Sequence, residues 1–363
     1  MLKKVFKIIL YIVIVFLIIA IALGLYALRE IGKSPTKEEL KSFEKLSYFK
    51  DGKFRSPQEM IVDKDNVRNG PAGFQRLFTR SKFAPTEKLP QVKLTKESFS
   101  ETPSDYDFYW LGHSSAILEI DGKRIIFDPV LGNAAPIPFI VPRYNEAPLT
   151  REDFPHIDYV IITHNHYDHL ERKSIQALKD SRFIVPLGVG TALVGWGVAK
   201  QNITELGWGD SFIKGNLQIT AEISQHYSGR DGLATNKTLW NSYIIKSKNK
   251  NIYWSGDTGY GEHFKQIGNK YGPFDFVAIE IDAWNTGWPN IHIFPAEVIK
   301  ATKELKSKKI IPIHWGVFDL ALHPWNESID MILNEAKNTN IEVLTPIMGE
   351  KINLYKSKTK KWW

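Results

Sequence analysis

The sequence predicts an α/β domain carried behind an apolar N-terminal helix. Three observations lead there. Short β-rich runs alternate with helix-favouring stretches over about 250 residues after Ser104. The 21 residues from Ile8 to Leu28 carry no charge. The 363-residue chain is 43% hydrophobic with no cysteine, so it has ample core material and excludes disulfides and thiol nucleophiles. Any metal must be held by His, Asp or Glu.

At ~1.5 Å per residue, a helix over Ile8–Leu28 spans about 31 Å, the thickness of a bilayer core. Lys3, Lys4 and Lys7 precede it and Arg29 closes it. A cleaved signal peptide is the rival reading, because Ala20 and Ala22 mimic a small-x-small cleavage site. Those alanines sit inside the apolar run, and signal-peptide cores are shorter. A buried globular helix would show a polar face, and none is present. Residues 1–30 are therefore read as an uncleaved, single-pass membrane anchor. Lys3, Lys4, Lys7 and the amino terminus nearly balance Arg29, Lys33, Lys37 and Lys41, so the charge rule leaves open whether the catalytic domain is cytoplasmic or extracytoplasmic.

Residues 31–104 are rich in Lys, Glu, Ser and Pro, with scattered aromatics at Phe54, Phe74, Phe78 and Phe83. Neither a helical nor a strand period is sustained. We read an extended segment that wraps the catalytic domain or lies near the membrane. Residues 105–363 form the catalytic domain. The net charge of +7 is mild and no dense basic block occurs, so nucleic acid is not expected as a partner. A homo-oligomer is left open.

Within that domain, 107–111, 115–120 and 124–127 read as strands, the last two joined by a turn at Asp121-Gly122. A β-branched run over 158–163 ends at a histidine cluster, and a polar, helix-favouring stretch follows over 171–180. Further strands are expected at 217–224, 240–245, 251–254, 274–282 and 309–313, with helices at 295–305 and 327–337. A short internal echo stands out. AILEIDGKRIIFDP and SYIIKSKNKNIYWSGDTG both read strand, turn, strand, then an aspartate, Asp128 and Asp257. Two halves of similar plan would suit a sandwich of two sheets with helices outside.

The strongest chemical signal is Thr163-His164-Asn165-His166-Tyr167-Asp168-His169-Leu170. Leaving a strand into a loop, His164 and His166 can project the same way and chelate one ion, while Asp168 and His169 reach a second. A single tetrahedral ion would not need four ligands from one tight loop. Coincidence is a poor alternative, with ten histidines in the whole chain and burial of unpartnered imidazoles costly. His226, Asp257 and His314 each follow a hydrophobic strand. Individually such residues are more often structural, but together with the first cluster they complete a set for two ions.

This order of H-x-H-x-D-H, a single His, an Asp in Gly-Asp-Thr-Gly and a last His resembles the metallo-β-lactamase superfamily. The resemblance covers roughly residues 105–350. It implies an αβ/βα sandwich with a dinuclear site at the sheet edge, zinc being the expected ion. By it, His164, His166 and His226 hold one divalent ion, Asp168, His169 and His314 the other, and Asp257 bridges. Gly112-His113-Ser114-Ser115, Asp128-Pro129, Leu239-Trp240 and the histidine in Ile291-His292-Ile293-Phe294-Pro295 look like the branch containing N-acyl-phosphatidylethanolamine-hydrolysing phospholipase D.

Such a site would hydrolyse a phosphodiester with a metal-activated hydroxide. Asp168 and Asp257 supply the anionic charge that keeps the ions close, and Asp168 orients the nucleophile or accepts its proton. His292 reaches the substrate phosphate or the leaving group, against the plainer reading of a loop histidine. His113 and Asp128 are read as supports behind the ligands. His156, His263 and His323 are read as surface or structural, and Trp288, Trp315 and Trp325 as an apolar mouth or core. The expected function is a membrane-anchored lipid phosphodiesterase of phospholipase D type, with a phospholipid as substrate. A lactone, amide or sugar-phosphate hydrolase of the same fold and a non-catalytic binding module are the alternatives. Because the motifs begin after residue 105, a chain truncated before Gly32 is expected to fold and to act on a soluble diester.

Overall fold

The computed structural model describes residues 2–63, 81–137, 139–230, 235–248 and 250–363. The apolar run forms one helix, α1 (Leu2–Ile31). It is long and apolar enough to cross a membrane, with a mean hydropathy of 3.3 in its core window and none of that window buried.

Order appears in the next segment where periodicity predicted none. Helix α2 (Lys37–Phe43) is set by a capping box: the Glu39 amide donates to Thr36 Oγ1 at 3.2 Å and the Thr36 amide to Glu39 Oε2 at 2.7 Å. Seven residues are too few to display a hydrophobic period, which is why the sequence reading overlooked it. A small hairpin follows, β1 (Phe49–Lys50) and β2 (Lys53–Phe54). Phe43, Phe49 and Phe54 pack with Leu239 and Trp240 of the following domain. Leu89, Leu94 and Phe99 are likewise buried against it. Phe74 and Phe78 lie outside the described residues.

The domain itself is two sheets face to face. The first runs in the order β16-β3-β4-β5-β6-β7-β8, built from β3 (Asp107–Gly112), β4 (Ser115–Ile120), β5 (Lys123–Phe127), β6 (Tyr159–Ile161), β7 (Arg182–Pro186), β8 (Ile203–Leu206) and β16 (Lys351–Asn353). The second runs β15-β14-β13-β12-β11-β10-β9, from β9 (Ser211–Lys214), β10 (Leu217–Glu222), β11 (Ser242–Ser247), β12 (Lys250–Trp254), β13 (Phe276–Glu280), β14 (Lys309–Ile313) and β15 (Glu342–Val343). The echo in the sequence is real topology. β4–β5 and β11–β12 are antiparallel hairpins, each followed by parallel strands.

Inward-facing residues alternate along both sheets and close one core, with Phe127 stacked on Trp254 at 4.0 Å between ring centroids. Outside the first sheet lie α3 (Arg172–Ala177) and α4 (Gly190–Gly195), whose Ile175 and Leu193 pack on Val160 and Phe183. Outside the second lie α5 (His263–Lys270), α6 (Pro295–Glu304) and α7 (Glu327–Ala336). This is the expected αβ/βα sandwich. The turns after β3, β5, β12, β13 and β14 bring distant polar residues together at one edge.

Candidate metal centre

Three imidazoles converge at the start of that edge. His164 Nε2 lies 2.8 Å from His166 Nδ1, which lies 3.3 Å from His226 Nε2. Asp257 Oδ2 is 3.7 Å from both His164 Nε2 and His226 Nε2. A second cluster adjoins. His169 Nε2 is 3.1 Å from Asp257 Oδ1, and His314 Nε2 is 3.1 Å from Asp257 Oδ2. Asp168 Oδ2 lies 3.6 Å from His169 Nε2 and 3.5 Å from His314 Nε2. Asp257 therefore touches both groups. The four ligand atoms of His164, His166, His226 and Asp257 lie within 4.8 Å of one another, as do those of His113, Asp168, His169 and His314.

The local sequence explains the placement. The edge of β6 opens into the histidine loop, where Asp128 accepts from the Thr163 amide and hydroxyl, both at 2.7 Å, and pairs with His169 Nδ1 at 2.8 Å. Gly256, at φ +58°, lets the Asp257 turn pass over Thr163; a Cβ there would lie 2.9 Å from Thr163 Cβ and from the Asn241 carbonyl. His113, Asp128 and His314 adopt φ of 54°, 39° and 71°, left-handed conformations that each cost about 1–3 kcal/mol and that the surrounding sheets impose.

The donor set suits divalent cations. His169 Nε2, His314 Nε2 and Asp257 Oδ1 are buried and make no hydrogen bond among the described residues, although they face one another. Imidazole nitrogens and carboxylate oxygens converging in this way are ligands for borderline ions. Burial pushes His164 and His226 well below the usual imidazole range. Burial opposes charge on His169 and His314 too, but Asp257 and Asp168 outweigh it, raising His169 well above its ordinary value and His314 to about 10. Burial would likewise raise Asp168 and Asp257, but the imidazoles, His169 first among them, hold both well below the carboxylate range.

Residues 123–315 match the beta-lactamase superfamily domain. The chain belongs to the metallo-β-lactamase superfamily. Within that superfamily it is 39% identical over 263 residues to an uncharacterized protein of Mycobacterium tuberculosis, covering 70% of each chain. It is 33% identical over 248 residues to N-acyl-phosphatidylethanolamine-hydrolyzing phospholipase D 1 of Caenorhabditis elegans, covering 64% of this chain and 69% of the worm protein. The isothiocyanate hydrolase from Delia radicum gut bacteria shares the fold, with a TM-score of 0.56 at 20% identity over 71% of this chain and all of that one. This superfamily member is a metal-dependent hydrolase.

The structure also places the remaining residues singled out in the sequence. His113 Nε2 is 3.0 Å from Asp168 Oδ2, close enough to join the second cluster, and burial holds it down to about 3. His292 stands beside both groups, its ring 5.1 Å from that of His226 and 5.3 Å from that of His314. His263 is buried against Thr258 Oγ1 at 3.1 Å, His323 stacks on Trp284, and His156 is exposed. Trp288 lines the cleft above the centre, whereas Trp315 is core, stacked on Trp110.

Sequence reasoning missed two residues. Glu280 ends β13 fully buried; its Oε1 accepts from the Thr258 amide at 3.0 Å, and both its oxygens lie 3.1 Å from His292 Nδ1. A carboxylate closing the apolar run FVAIE was the available signal. Arg230 was the other, and no local pattern marks it.

Proposed function

We propose that this protein is a membrane-anchored phosphodiesterase of phospholipase D type, acting on N-acylated phosphatidylethanolamine or a related lipid. The observation that carries the reading is the cleft over the centre. It has a volume of about 620 Å³, with Asp168, Asp257, His166 and His292 at its base and Met60, Val62, Trp288 and Leu320 among its walls. An apolar slot ending in carboxylates and imidazoles suits a phosphodiester carrying long acyl chains. The worm relative and the exposed apolar helix α1 support the same reading.

In this proposal His164, His166 and His226 would hold one ion and Asp168, His169 and His314 the other, with Asp257 within reach of both groups. Divalent ions bound there supply Lewis acidity toward phosphoryl oxygens and lower the pKa of water. Asp168, steadied by His113, orients the attacking water and takes its proton. His292, held by Glu280, donates a proton to the leaving oxygen. Water oxygen bonds to phosphorus as the bond from phosphorus to the ethanolamine oxygen breaks, leaving phosphatidic acid and an N-acylethanolamine. The cleft walls hold the acyl chains and exclude bulk water.

The test is full-length zinc-loaded protein in vesicles carrying N-acylated phosphatidylethanolamine, scored for phosphatidic acid. Release abolished by a chelator and restored by zinc is the expected result. No cleavage, alongside brisk hydrolysis of a lactone or sugar phosphate, overturns the lipid reading.

A further inference from the structure

The end of α1 is wired into the histidine loop. Arg230 is the hub. Its Nη1 donates to the carbonyls of Asn165 and Leu170, both at 2.8 Å, and of His166 at 3.3 Å. From the same guanidinium, Nη2 donates to the Glu30 carbonyl at 2.6 Å and Nε to the Ile31 carbonyl at 3.1 Å. Those two carbonyls belong to the last turn of α1, where no intrahelical donor remains and where the helix dipole favours a cation. The guanidinium also lies over the Tyr167 ring at 4.0 Å and the Trp196 ring at 5.4 Å, and the Tyr167 hydroxyl donates back to the Arg230 carbonyl at 2.6 Å.

Two further ties lock the same joint. Trp196 Nε1 donates to the Arg29 carbonyl at 2.9 Å. Arg172, two residues beyond the histidine loop, donates from Nε and Nη2 to Glu30 Oε1 at 3.0 and 2.7 Å, and Glu30 is buried. Gly32, at φ +75°, makes the exit possible: a Cβ there would stand 2.7 Å from Trp196 Cζ2. A passive tether needs none of this, because a flexible linker holds an enzyme at a surface equally well.

We infer that α1 is a structural part of the histidine loop, and that Arg230 acts as a positioning residue through which the helix end fixes His164, His166, Asp168 and His169 for metal. This rests on the metal reading of that loop. It also reverses the expectation that the chain before Gly32 is dispensable. Removing α1 takes from Arg230 its Glu30 and Ile31 carbonyls and from Arg172 its Glu30 carboxylate, so a guanidinium fork partly enclosed in the fold loses acceptors that a lysine or water matches poorly.

The test uses the full chain in lipid nanodiscs, zinc-loaded, with the helix side and the hub perturbed separately. Glu30→Ala and Gly32→Ala alter the joint without touching the centre, Arg230→Lys alters the hub, and Phe16→Ala on the exposed run is the control. Zinc release to a chromogenic chelator is followed alongside kcat and KM on bis-p-nitrophenyl phosphate. The expected result is zinc release about tenfold faster in Gly32→Ala, Glu30→Ala and Arg230→Lys, with kcat falling about tenfold and KM within about twofold, the range of loss typical of disturbed ligand support. Phe16→Ala should match the parent. Parent protein that holds zinc, beside folded Gly32→Ala and Glu30→Ala variants that release it at the parental rate, overturns the coupling alone. Parent protein that takes up no zinc overturns the metal reading and this inference with it.

Discussion

Glu280→Gln isolates one contact that the structure alone revealed. The side chain is fully buried and accepts from the Thr258 amide at 3.0 Å and the Ile293 amide at 3.4 Å through Oε1, while Oε2 lies 3.1 Å from His292 Nδ1 and 3.8 Å from His314 Nδ1. Glutamine keeps an oxygen for the two amides. His292 Nδ1, which lies 3.1 Å from both carboxylate oxygens, keeps Oε1 as an acceptor but loses the charge and meets an NH2 donor in place of Oε2. The loss is one buried hydrogen bond to a charged group, worth about 1.5–3 kcal/mol, or about 10- to 150-fold.

The pH dependence follows from the same contact. Burial opposes the His292 proton, and Glu280 overcomes that opposition and raises its pKa. Without the carboxylate, burial dominates and the pKa falls, so the variant loses the proton at lower pH than the parent. If His292 protonates the leaving oxygen, the alkaline limb of kcat moves to lower pH, and the deficit narrows as the medium is acidified. The assay is kcat and KM on a soluble diester from about pH 5 to 9, at saturating zinc, with metal content measured on the same samples. A kcat profile that superimposes on the parent's, with metals retained, refutes the roles given to Glu280 and His292.

Asp257→Asn should leave the fold intact but lose the second ion, since a unit charge about 4 Å away at an effective dielectric of about 20 contributes about 4 kcal/mol; full metal content and near-parental turnover would refute its place between the ions. Zinc uptake by metal-free protein at neutral pH should release protons, because His314, raised to about 10 by Asp257 and Asp168, holds its proton before the ion arrives, and His169 is shifted in the same direction. Calorimetry in buffers of different ionisation enthalpy measures this, and zero net release contradicts it. Gly268→Ala tests packing away from the centre. Its Cβ would lie 1.9 Å from the Glu304 carbonyl where α5 crosses α6, so overpacking of about 1–3 kcal/mol should lower the melting temperature with kcat unchanged, and an unaltered melt would show that the crossing has slack.

The sequence by itself determined the elements whose information is local. His164, His166, Asp168 and His169 are legible because six residues of chain hold them together whatever the fold does. The hairpins before Asp128 and Asp257 are legible because a turn joins two apolar runs. Strands β7 and β8 escaped notice, being short and bounded by irregular loops, and β9 escaped because its four residues are few, although a two-residue turn at Gly215-Asn216 joins it to β10. Helix α2 escaped because its signal is a cap and not a period.

Only the tertiary structure decided what faces the cluster from afar. Glu280 reaches His292 because β13 runs parallel between β12 and β14, which brings its end level with the Asp257 turn. Arg230 joins Glu30 to His166 across separations of 200 and 64 residues. A buried charge is tolerated only where partners surround it, and here those partners are carbonyls and side chains from several distant segments. Ligand spacing is written in neighbouring residues, but the company a buried carboxylate or guanidinium keeps exists only once the sheets and helices have packed.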